Sequence, residues 1–307
     1  MTWWQALILG IVEGLTEYLP VSSTGHLVVV QRLLGIGGSS PDAKIAADAY
    51  AICIQAGAIV AVLGLYWKHV KQMLAGLMGK DAAGLKLIIN LVTGFIPAAA
   101  IGLLAQDWIK KNLFGGDRFG LWPIIVAWLV GGVAILVVAN RRKGRHAASS
   151  DTDVKNDSDT DGNTKQDGAE GDGFGLGQLT WQLALIIGFA QCIAMWPGVS
   201  RSLVTIVAGL LVGMRLIAAV EFSFLLGVMT LGAATCYDGL KHGEMMLEHY
   251  GVIELGIGFL FAFVSAVIAV KWMIAFLQKH GLRVFGYYRI ALAIAVAVLV
   301  LTKVIVM

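Results

Sequence analysis

Charged side chains are scarce in this chain of 307 residues. They form 14% of the sequence, whereas a typical soluble domain carries about 25%. Hydrophobic residues form 58% of the sequence, and the mean hydropathy is +0.77. This composition excludes an ordinary soluble domain and predicts a protein that crosses a membrane several times.

Cysteine is nearly absent as well. Cys53, Cys192 and Cys236 all lie in apolar segments, and their spacing matches neither a disulfide framework nor a metal site. The first apolar segment, residues 3–18, has no basic region before it and no cleavage site after it. We therefore do not interpret that segment as a signal peptide.

Acidic residues are concentrated in one segment. Residues 151–173 contain eight acidic residues and two lysines, and the rest of the chain has 21 basic and 12 acidic residues. The membrane-embedded part is therefore basic, which suits an anionic membrane surface and an anionic substrate. Residues 144–177 have too few apolar side chains to bury a core, and they predict a disordered acidic linker.

Long apolar stretches predict the transmembrane helices. About 20 apolar residues cross the hydrocarbon core of a bilayer as a helix. Six stretches qualify: 47–67, 85–106, 120–140, 217–236, 251–277 and 287–306. Two further apolar regions, 3–36 and 178–213, are interrupted near their middles by Pro, Ser and Gly, and each half is too short to cross. We interpret both regions as re-entrant helix–loop–helix hairpins.

The order of these segments predicts two repeats. Residues 1–143 and residues 178–307 each contain one hairpin followed by three transmembrane helices. The positive-inside rule places most basic loops in the cytoplasm, with the basic residues of 110–118 as the exception. On that path the two hairpins enter from opposite faces. The predicted fold class is therefore an all-α polytopic membrane protein with six transmembrane helices and two re-entrant hairpins in an inverted-topology repeat.

The interruption of the first hairpin begins with two carboxylates. Ionisable residues at membrane depth are costly and usually mark a functional site. Glu13 and Glu17 are four residues apart, so they share one helix face. Two carboxylates in that position repel each other unless a proton or a cation lies between them. A divalent metal ion is the natural partner, since hard cations prefer carboxylate oxygens.

Hydroxyl groups and an imidazole follow the carboxylates. Ser22, Ser23 and Thr24 precede the second helix of the hairpin, where one of them is expected to cap the helix N-terminus. A helix cap uses one hydroxyl group, so this segment has more hydroxyl groups than capping requires. His26 lies in the first turn of the next helix and can exchange a proton near neutral pH.

The interruption of the second hairpin, residues 197–205, contains an arginine. Arg201 stays charged, and its planar guanidinium matches the oxygens of a phosphate. Ser200, Ser202 and Thr205 add hydroxyl donors, and a helix N-terminus at this point also attracts anions. The two interruptions together predict metal-assisted phosphoryl transfer. These residues alone do not name the substrate.

The two motifs closely resemble those of the undecaprenyl-diphosphate phosphatase family linked to bacitracin resistance. The resemblance is carried by residues 13–26 and by residues 197–202 with Thr205. It is supported by Gln191-Cys192, residues 221–224 and Tyr288-Arg289. It covers nearly the whole chain except the acidic linker.

The resemblance implies an activity. Members hydrolyse the C55 lipid undecaprenyl diphosphate to undecaprenyl phosphate and inorganic phosphate. This reaction recycles the lipid carrier for peptidoglycan and other cell-wall precursors and confers resistance to bacitracin, which competes by sequestering the substrate.

The implied cofactor is a divalent cation, Mg²⁺ or Ca²⁺. The implied location is the bacterial cytoplasmic (inner) membrane, with the active site opening to the outer (periplasmic) face. Membrane lipids are expected partners, nucleic acid is not, and a homodimer is left open.

Matching the motif positions assigns roles to residues. The expected catalytic residues are Glu13, Glu17, Ser23, His26 and Arg201, of which Glu13 and Glu17 are also the expected metal ligands. The expected substrate-binding and phosphate-binding residues are Ser22, Thr24, Ser200, Ser202, Thr205, Gln191 and Arg289. Our hypothesis is that Ser23 attacks the phosphate while His26 shuttles the proton, and the rival is a phosphohistidine route through His26.

Two other classes of function compete with an enzyme. A transporter or flippase for polyprenyl phosphates would suit the same inverted repeat and broken helices, and a fold alone does not decide between carrier and catalyst. The cluster of hydroxyl, imidazole and carboxylate favours the enzyme, because a carrier of phosphate lipids does not need it. A scaffold protein would leave the buried charges unexplained.

Overall fold

The computed structural model describes residues 1–36, 41–109, 120–153 and 173–304, and helices dominate these ranges. We number the α-helices of the described residues in chain order. They are α1 (Trp3–Thr16), α2 (Ser23–Leu33), α3 (Pro41–Leu65), α4 (Trp67–Leu77), α5 (Ala82–Ile109), α6 (Trp122–Asp153), α7 (Trp181–Gln191), α8 (Arg201–Leu211), α9 (Leu216–His249), α10 (Val252–His280) and α11 (Arg283–Leu301). Short 3₁₀ turns at Leu176–Gln178 and Cys192–Met195 lie on either side of α7.

Six of these helices are long and apolar enough to cross a membrane. The spans are Ile45–Leu65, Ala82–Leu104, Trp122–Asn140, Leu216–Lys241, Val252–His280 and Arg283–Leu301, in α3, α5, α6, α9, α10 and α11. Each contains about the 20 residues that a bilayer core requires. The prediction of an all-α, multi-pass membrane protein is confirmed, and the six spans lie where the apolar stretches place them.

The two interrupted regions form helical hairpins. Helices α1 and α2 contain 14 and 11 residues, and α7 and α8 contain 11 each. At 1.5 Å per residue these helices are about 16–21 Å long, too short for a hydrocarbon core of about 30 Å. The helices of each pair contact each other. Each hairpin therefore enters the membrane region and returns, as the sequence predicts.

The hairpins enter from opposite ends of the molecule. Gln31 near the end of the first hairpin donates from Nε2 to the carbonyl of Ala47, close to the start of α3 (3.2 Å). Asn90 near the start of α5 donates from Nδ2 to the carbonyl of Leu179, where the second hairpin begins (2.9 Å). Because α3 crosses the membrane once before α5 begins, these two attachment points lie at opposite faces.

Helix packing repeats between the two halves. Helix α1 lies against α10, and α7 lies against α5. Both contacts are made through glycines: a Cβ on Gly10 would collide with the carbonyl oxygen of Gly258, and one on Gly188 would collide with that of Gly94. Each hairpin is thus packed on a transmembrane helix of the other half. The halves interlock, as expected of paired repeats, while their status as separate domains stays a prediction.

The ends of the predicted acidic linker are structured. Helix α6 continues to Asp153, beyond the predicted start of the linker at residue 144. Residues 154–172 lie outside the described residues. The backbone N–H of Phe174 donates to Gly213, and that of Arg215 donates to Phe174, each at 3.0 Å. Helix α6 therefore extends past the predicted start of the linker, and Phe174 pairs with the backbone before its predicted end at residue 177, while the disordered linker itself stays a prediction.

The glycine contacts give a testable result for stability. We expect Gly10→Ala and Gly188→Ala each to lower the free energy of unfolding by about 1–3 kcal/mol, since the added Cβ meets backbone atoms that cannot yield. Thermal unfolding of the protein in detergent measures the effect. Gly64→Ala in α3 is the matched control, because nothing lies within 4 Å of its added Cβ. Equal unfolding temperatures for Gly10→Ala and Gly64→Ala would contradict the close packing of α1 on α10.

Candidate active site

The two interruptions meet inside the helical bundle. The hydroxyl of Ser202 donates to the carbonyl of Leu19 (2.8 Å), so the start of α8 is joined to the loop between α1 and α2. Loop backbone at membrane depth needs such partners, because no water is present there to satisfy it. The prediction that the interruptions face each other is confirmed by this contact and by those of Arg289.

Arg289 of α11 joins the same two loops. Its side chain is completely buried. Nη1 donates to the carbonyl of Pro20 (3.3 Å), and Nη2 donates to those of Gly198 (3.1 Å) and Ala127 (2.9 Å). We had expected Arg289 to bind phosphate. The structure instead directs its guanidinium to backbone carbonyls. Those of Pro20 and Gly198 lie in the interruptions and lack intrahelical donors, and that of Ala127 lies in α6.

Glu17 lies at the centre of the contact between the interruptions. Its Oε2 accepts from the hydroxyl of Ser23 (2.5 Å) and from Nε2 of Gln55 in α3 (3.1 Å). Its Oε1 forms an ion pair with Nη2 of Arg201 (3.3 Å). The carboxylate therefore links the hydroxyl of one hairpin to the guanidinium of the other.

Arg201 is held on several sides. Nη1 donates to the carbonyl of Ser223 in α9 (2.9 Å), and the guanidinium carbon lies 5.7 Å from the ring centroid of Tyr18. The guanidinium also lies against Gly227, where a Cβ would collide with it. Its Nε is buried and has no hydrogen-bond partner among the described residues. A rigid guanidinium of this kind is arranged in advance to neutralise an anion.

A cavity of about 340 Å³ opens beside this ion pair. Its volume is within the usual range for small-molecule sites. Polar residues from both interruptions and from α3 and α9 line it together with apolar side chains. The polar lining residues are Glu17, Ser22, Ser23, Thr24, Gln55, Gln191, Ser200, Arg201 and Thr230. The cavity thus combines a carboxylate, several hydroxyls and one guanidinium.

The three neighbouring hydroxyl residues of the first interruption have different positions. Ser22 caps α2, since its Oγ accepts from the N–H of Gly25 (3.4 Å). Its backbone has φ 73° and ψ 95°, which is unusual for a residue other than glycine. Ser23 and Thr24 follow at the start of α2 and line the cavity. One hydroxyl therefore caps the helix, as expected, and Ser23 is directed to Glu17.

The hydroxyl residues of the second interruption mostly bind the protein itself. Ser200 caps α8 by accepting from the N–H of Leu203 (3.2 Å), and it lines the cavity. Ser202 and Thr205 are almost completely buried. Thr205 contacts the hydroxyl of Ser223 at 2.6 Å. The sequence predicts that Ser200, Ser202 and Thr205 bind phosphate. Of these three, the structure places only Ser200 at the cavity.

Two buried polar side chains have no partner among the described residues. Both oxygens of Glu13 and both amide atoms of Gln191 are buried without a hydrogen bond. The two residues occupy matching positions in the segments Gly10–Glu13 and Gly188–Gln191 of the two repeats. Gln191 lines the cavity, so its amide can bind a substrate, whereas Glu13 is not among the cavity-lining residues and neighbours Glu17 and Gln55.

Glu13 and Glu17, the metal ligands that the sequence predicts, lie next to each other. Among the residues that the structure describes, no three His, Cys, Asp or Glu side chains come together as a metal cluster. Mg²⁺ commonly binds one or two carboxylates together with water and substrate phosphates. The unpartnered oxygens of Glu13 beside Glu17 supply such a pair.

His26 is placed differently from the other expected catalytic residues. Its Nδ1 lies 2.7 Å from the carbonyl oxygen of Ser22, and its Nε2 lies 2.8 Å from the hydroxyl of Tyr288. Its ring also lies near Trp128, with centroids 5.3 Å apart. The side chain is not among those that line the cavity. The structure thus brings together Glu17, Ser23 and Arg201 at the cavity, while His26 contacts the backbone of Ser22 and the hydroxyl of Tyr288.

Sequence reasoning did not identify Gln55 as a site residue. Its signal was a single amide within the apolar stretch 47–67. That signal is weak, because Asn90 in another span is also polar and binds only a backbone carbonyl. Ser223 lies in the segment 221–224 that supports the family resemblance, but its contact with Arg201 required the structure.

Comparisons with known proteins found relatives that match most of the chain. A family model described as bacitracin resistance protein BacA matches residues 6–295. The chain is 38% identical to an undecaprenyl-diphosphatase of Sorangium cellulosum (strain So ce56), over 95% of this chain and 84% of that protein. It is 39% identical to one of Maridesulfovibrio salexigens, over 94% and 95% of the two chains. It is also 36% identical to undecaprenyl-diphosphatase 3 of Acinetobacter baylyi, over 95% and 96%.

Proposed function

The chain belongs to the bacitracin resistance protein BacA family, and we propose on this premise that it is an undecaprenyl-diphosphate phosphatase. It hydrolyses undecaprenyl diphosphate to undecaprenyl phosphate and inorganic phosphate. The reaction recycles the lipid carrier for peptidoglycan and other cell-wall precursors. Relatives that bear the name undecaprenyl-diphosphatase match nearly the whole chain.

The observation that carries the proposal is the hydrogen bond from Ser23 to Glu17 beside the guanidinium of Arg201. A hydroxyl bound to a carboxylate is a nucleophile with its base already in place. A guanidinium stabilises the negative charge that develops on a transferring phosphoryl group. All three side chains line one cavity.

The geometry supports a two-step reaction. Oγ of Ser23 attacks the terminal phosphorus while Glu17 takes its proton, and the bond from that phosphorus to the bridging oxygen breaks. Undecaprenyl phosphate leaves with the proton that Glu17 had taken. Glu17 then takes a proton from a water molecule that attacks the phosphoserine, the bond from phosphorus to Oγ of Ser23 breaks, and Oγ receives that proton. Arg201 and the amide of Gln191 bind the phosphoryl oxygens, with Ser22, Thr24 and Ser200 as further hydroxyl donors at the cavity wall.

Glu13 and Glu17 would hold a divalent cation, Mg²⁺ or Ca²⁺, in this proposal. Such an ion supplies positive charge against the diphosphate oxygens. Arg201 compensates one of the two neighbouring carboxylates by its ion pair with Glu17, and a cation would compensate the other, Glu13, which is buried and has no ion pair among the described residues.

A transporter or flippase is the less favoured function. The interlocked repeats would suit a carrier. A carrier does not require a hydroxyl bound to a carboxylate beside an arginine, however, and the relatives are named for hydrolysis. We further propose that the protein lies in the bacterial inner membrane and that its cavity opens to the periplasmic face. Bacitracin would then compete by sequestering the lipid substrate.

Phosphate release tests the function directly. The protein purified in detergent is expected to release inorganic phosphate from undecaprenyl diphosphate, to lose this activity in EDTA and to regain it with Mg²⁺ or Ca²⁺. Absence of release by the wild-type protein with either metal would overturn the phosphatase proposal. Release that EDTA leaves unchanged would overturn the metal proposal alone.

Glu13→Gln tests the cation site. We expect the Mg²⁺ concentration for half-maximal phosphate release to rise by about 10-fold or more, because the variant removes one carboxylate from the pair. The measurement is a Mg²⁺ titration of the initial rate. Glu248→Gln, which alters an exposed carboxylate near the end of α9, is the matched control. A Glu13→Gln titration curve that coincides with the wild-type curve would exclude Glu13 as a ligand.

A further inference from the structure

Both ring nitrogens of His26 form hydrogen bonds within the protein. The carbonyl oxygen of Ser22 can only accept a hydrogen bond, so Nδ1 of His26 must carry the proton that lies between them (2.7 Å). In the neutral ring Nε2 is then an acceptor, and the hydroxyl of Tyr288 donates to it (2.8 Å). The tautomer is set by these two contacts.

The imidazole is partly buried and also lies next to two aromatic rings. The ring of Tyr288 is parallel to it, with centroids 5.9 Å apart and an interplanar angle of 3°. Trp128, which is completely buried, lies on another side at 5.3 Å. Because the side chain of His26 does not line the cavity, a nitrogen of this ring is not directed at a bound phosphate.

The group that His26 holds is a strained peptide. Among the described residues other than glycine, Ser22 (φ 73°) and Lys303 have a positive φ. A strained backbone of this kind persists only where its surroundings fix it, and such positions cluster at functional sites. Ser23 is the next residue, and its hydroxyl lies 2.5 Å from Glu17. The orientation of the Ser22 carbonyl therefore determines where the hydroxyl of Ser23 lies.

We propose that His26 and Tyr288 are positioning residues: Nδ1–H of His26 fixes the strained Ser22 peptide so that Ser23 faces Glu17, and Tyr288 fixes the imidazole. His26 then neither attacks phosphorus nor carries the proton in the reaction. This inference rests on the proposed phosphatase function and assigns Tyr288 a role in it.

His26→Asn distinguishes positioning from chemistry. An asparagine amide can place its N–H close to the position of Nδ1 and donate to the same carbonyl, but it can neither form a phosphohistidine nor shuttle a proton. We expect His26→Ala to lower kcat by about 100-fold, as misplacement of a reacting group does. We expect His26→Asn to restore kcat to within about 10-fold of wild type, with KM changed little in both variants.

One result for His26→Asn would contradict the proposal. If His26→Asn is as inactive as His26→Ala while both variants fold like wild type, as judged by their thermal unfolding in detergent, the positioning role of His26 is overturned. Wild-type activity is the internal reference. If the wild-type protein releases no phosphate, the proposed function fails, and this outcome is distinct from failure of the variants.

Tyr288→Phe tests the second half of the proposal. The variant keeps the stacked ring and removes only the hydroxyl, so we expect kcat to fall by about 3-fold to 10-fold at constant KM. In the His26→Asn background the same change should have no further effect, because asparagine has no Nε2 to accept the bond. Tyr287→Phe, which alters an exposed neighbour on α11, is the control. Equal kcat for Tyr288→Phe and Tyr287→Phe, or additive losses in the double variant, would overturn the role of Tyr288.

Discussion

Replacing Arg201 by lysine is expected to lower kcat/KM for undecaprenyl diphosphate by about 10²-fold to 10³-fold, even though the positive charge is kept. The guanidinium makes separate contacts with the carbonyl of Ser223 and with Glu17, through Nη1 and Nη2. A lysine ammonium is a point charge and cannot make both contacts while it faces a phosphate. Arg201→Ala should lose at least as much, because it also leaves Glu17 as a buried, unpaired carboxylate.

Steady-state phosphate release measures this loss. Arg283→Lys, at the start of α11 and outside the cavity, carries the same substitution as a control and should keep wild-type activity. Thermal unfolding in detergent should show that Arg201→Lys is folded. If a folded Arg201→Lys variant retains kcat/KM within about 3-fold of wild type, the guanidinium is not the group that stabilises the transferring phosphoryl.

The transmembrane architecture could be predicted because the bilayer restricts it. A span needs about 20 apolar residues, and loop backbone at membrane depth must be covered by protein. These two constraints are sufficient to identify the six spans and both hairpins. Helix α4, Trp67–Leu77, was not predicted. It is short and carries lysines among its apolar residues, so the rule for spanning helices does not apply to it.

The reactive centre was partly predictable for a similar reason. Glu17 and Arg201 are charged groups at membrane depth, so their presence alone indicated a site. Their pairing at 3.3 Å also agrees with the expectation that the two interruptions meet. Gln55 carried no comparable signal, since one amide in a span is compatible with a structural hydrogen bond.

The structure also separates substrate-facing residues from those that support the loops. Arg289 and Ser202 lie in or near the motifs and are polar at membrane depth, as a ligand-binding residue would be. Their side-chain donors instead form hydrogen bonds with the carbonyls of Leu19, Pro20 and Gly198. These acceptors become available because each hairpin is broken at that point. Sequence spacing within one motif contains no information about a carbonyl that another segment leaves unpaired.

Removal of the Ser23 hydroxyl is expected to have the largest effect. Ser23→Ala should reduce kcat by about 10⁴-fold or more, since it removes the nucleophile and leaves Glu17 without a hydroxyl to activate. KM should change little, because Arg201 and Gln191 still face the cavity. Ser265→Ala, which removes a buried hydroxyl from α10 outside the cavity, is the matched control and should remain active.

Covalent trapping decides the identity of the nucleophile. Wild-type protein quenched during turnover of a substrate with a labelled terminal phosphate should carry label on Ser23 as an acid-stable phosphoserine. Ser23→Ala should carry none. Acid-labile label that persists in Ser23→Ala would instead identify a phosphohistidine. Because the ring of His26 uses Nδ1 for Ser22 and Nε2 for Tyr288, a phosphohistidine would require one of these two hydrogen bonds to break. Label on Ser23 alone agrees with a ring that keeps both of them.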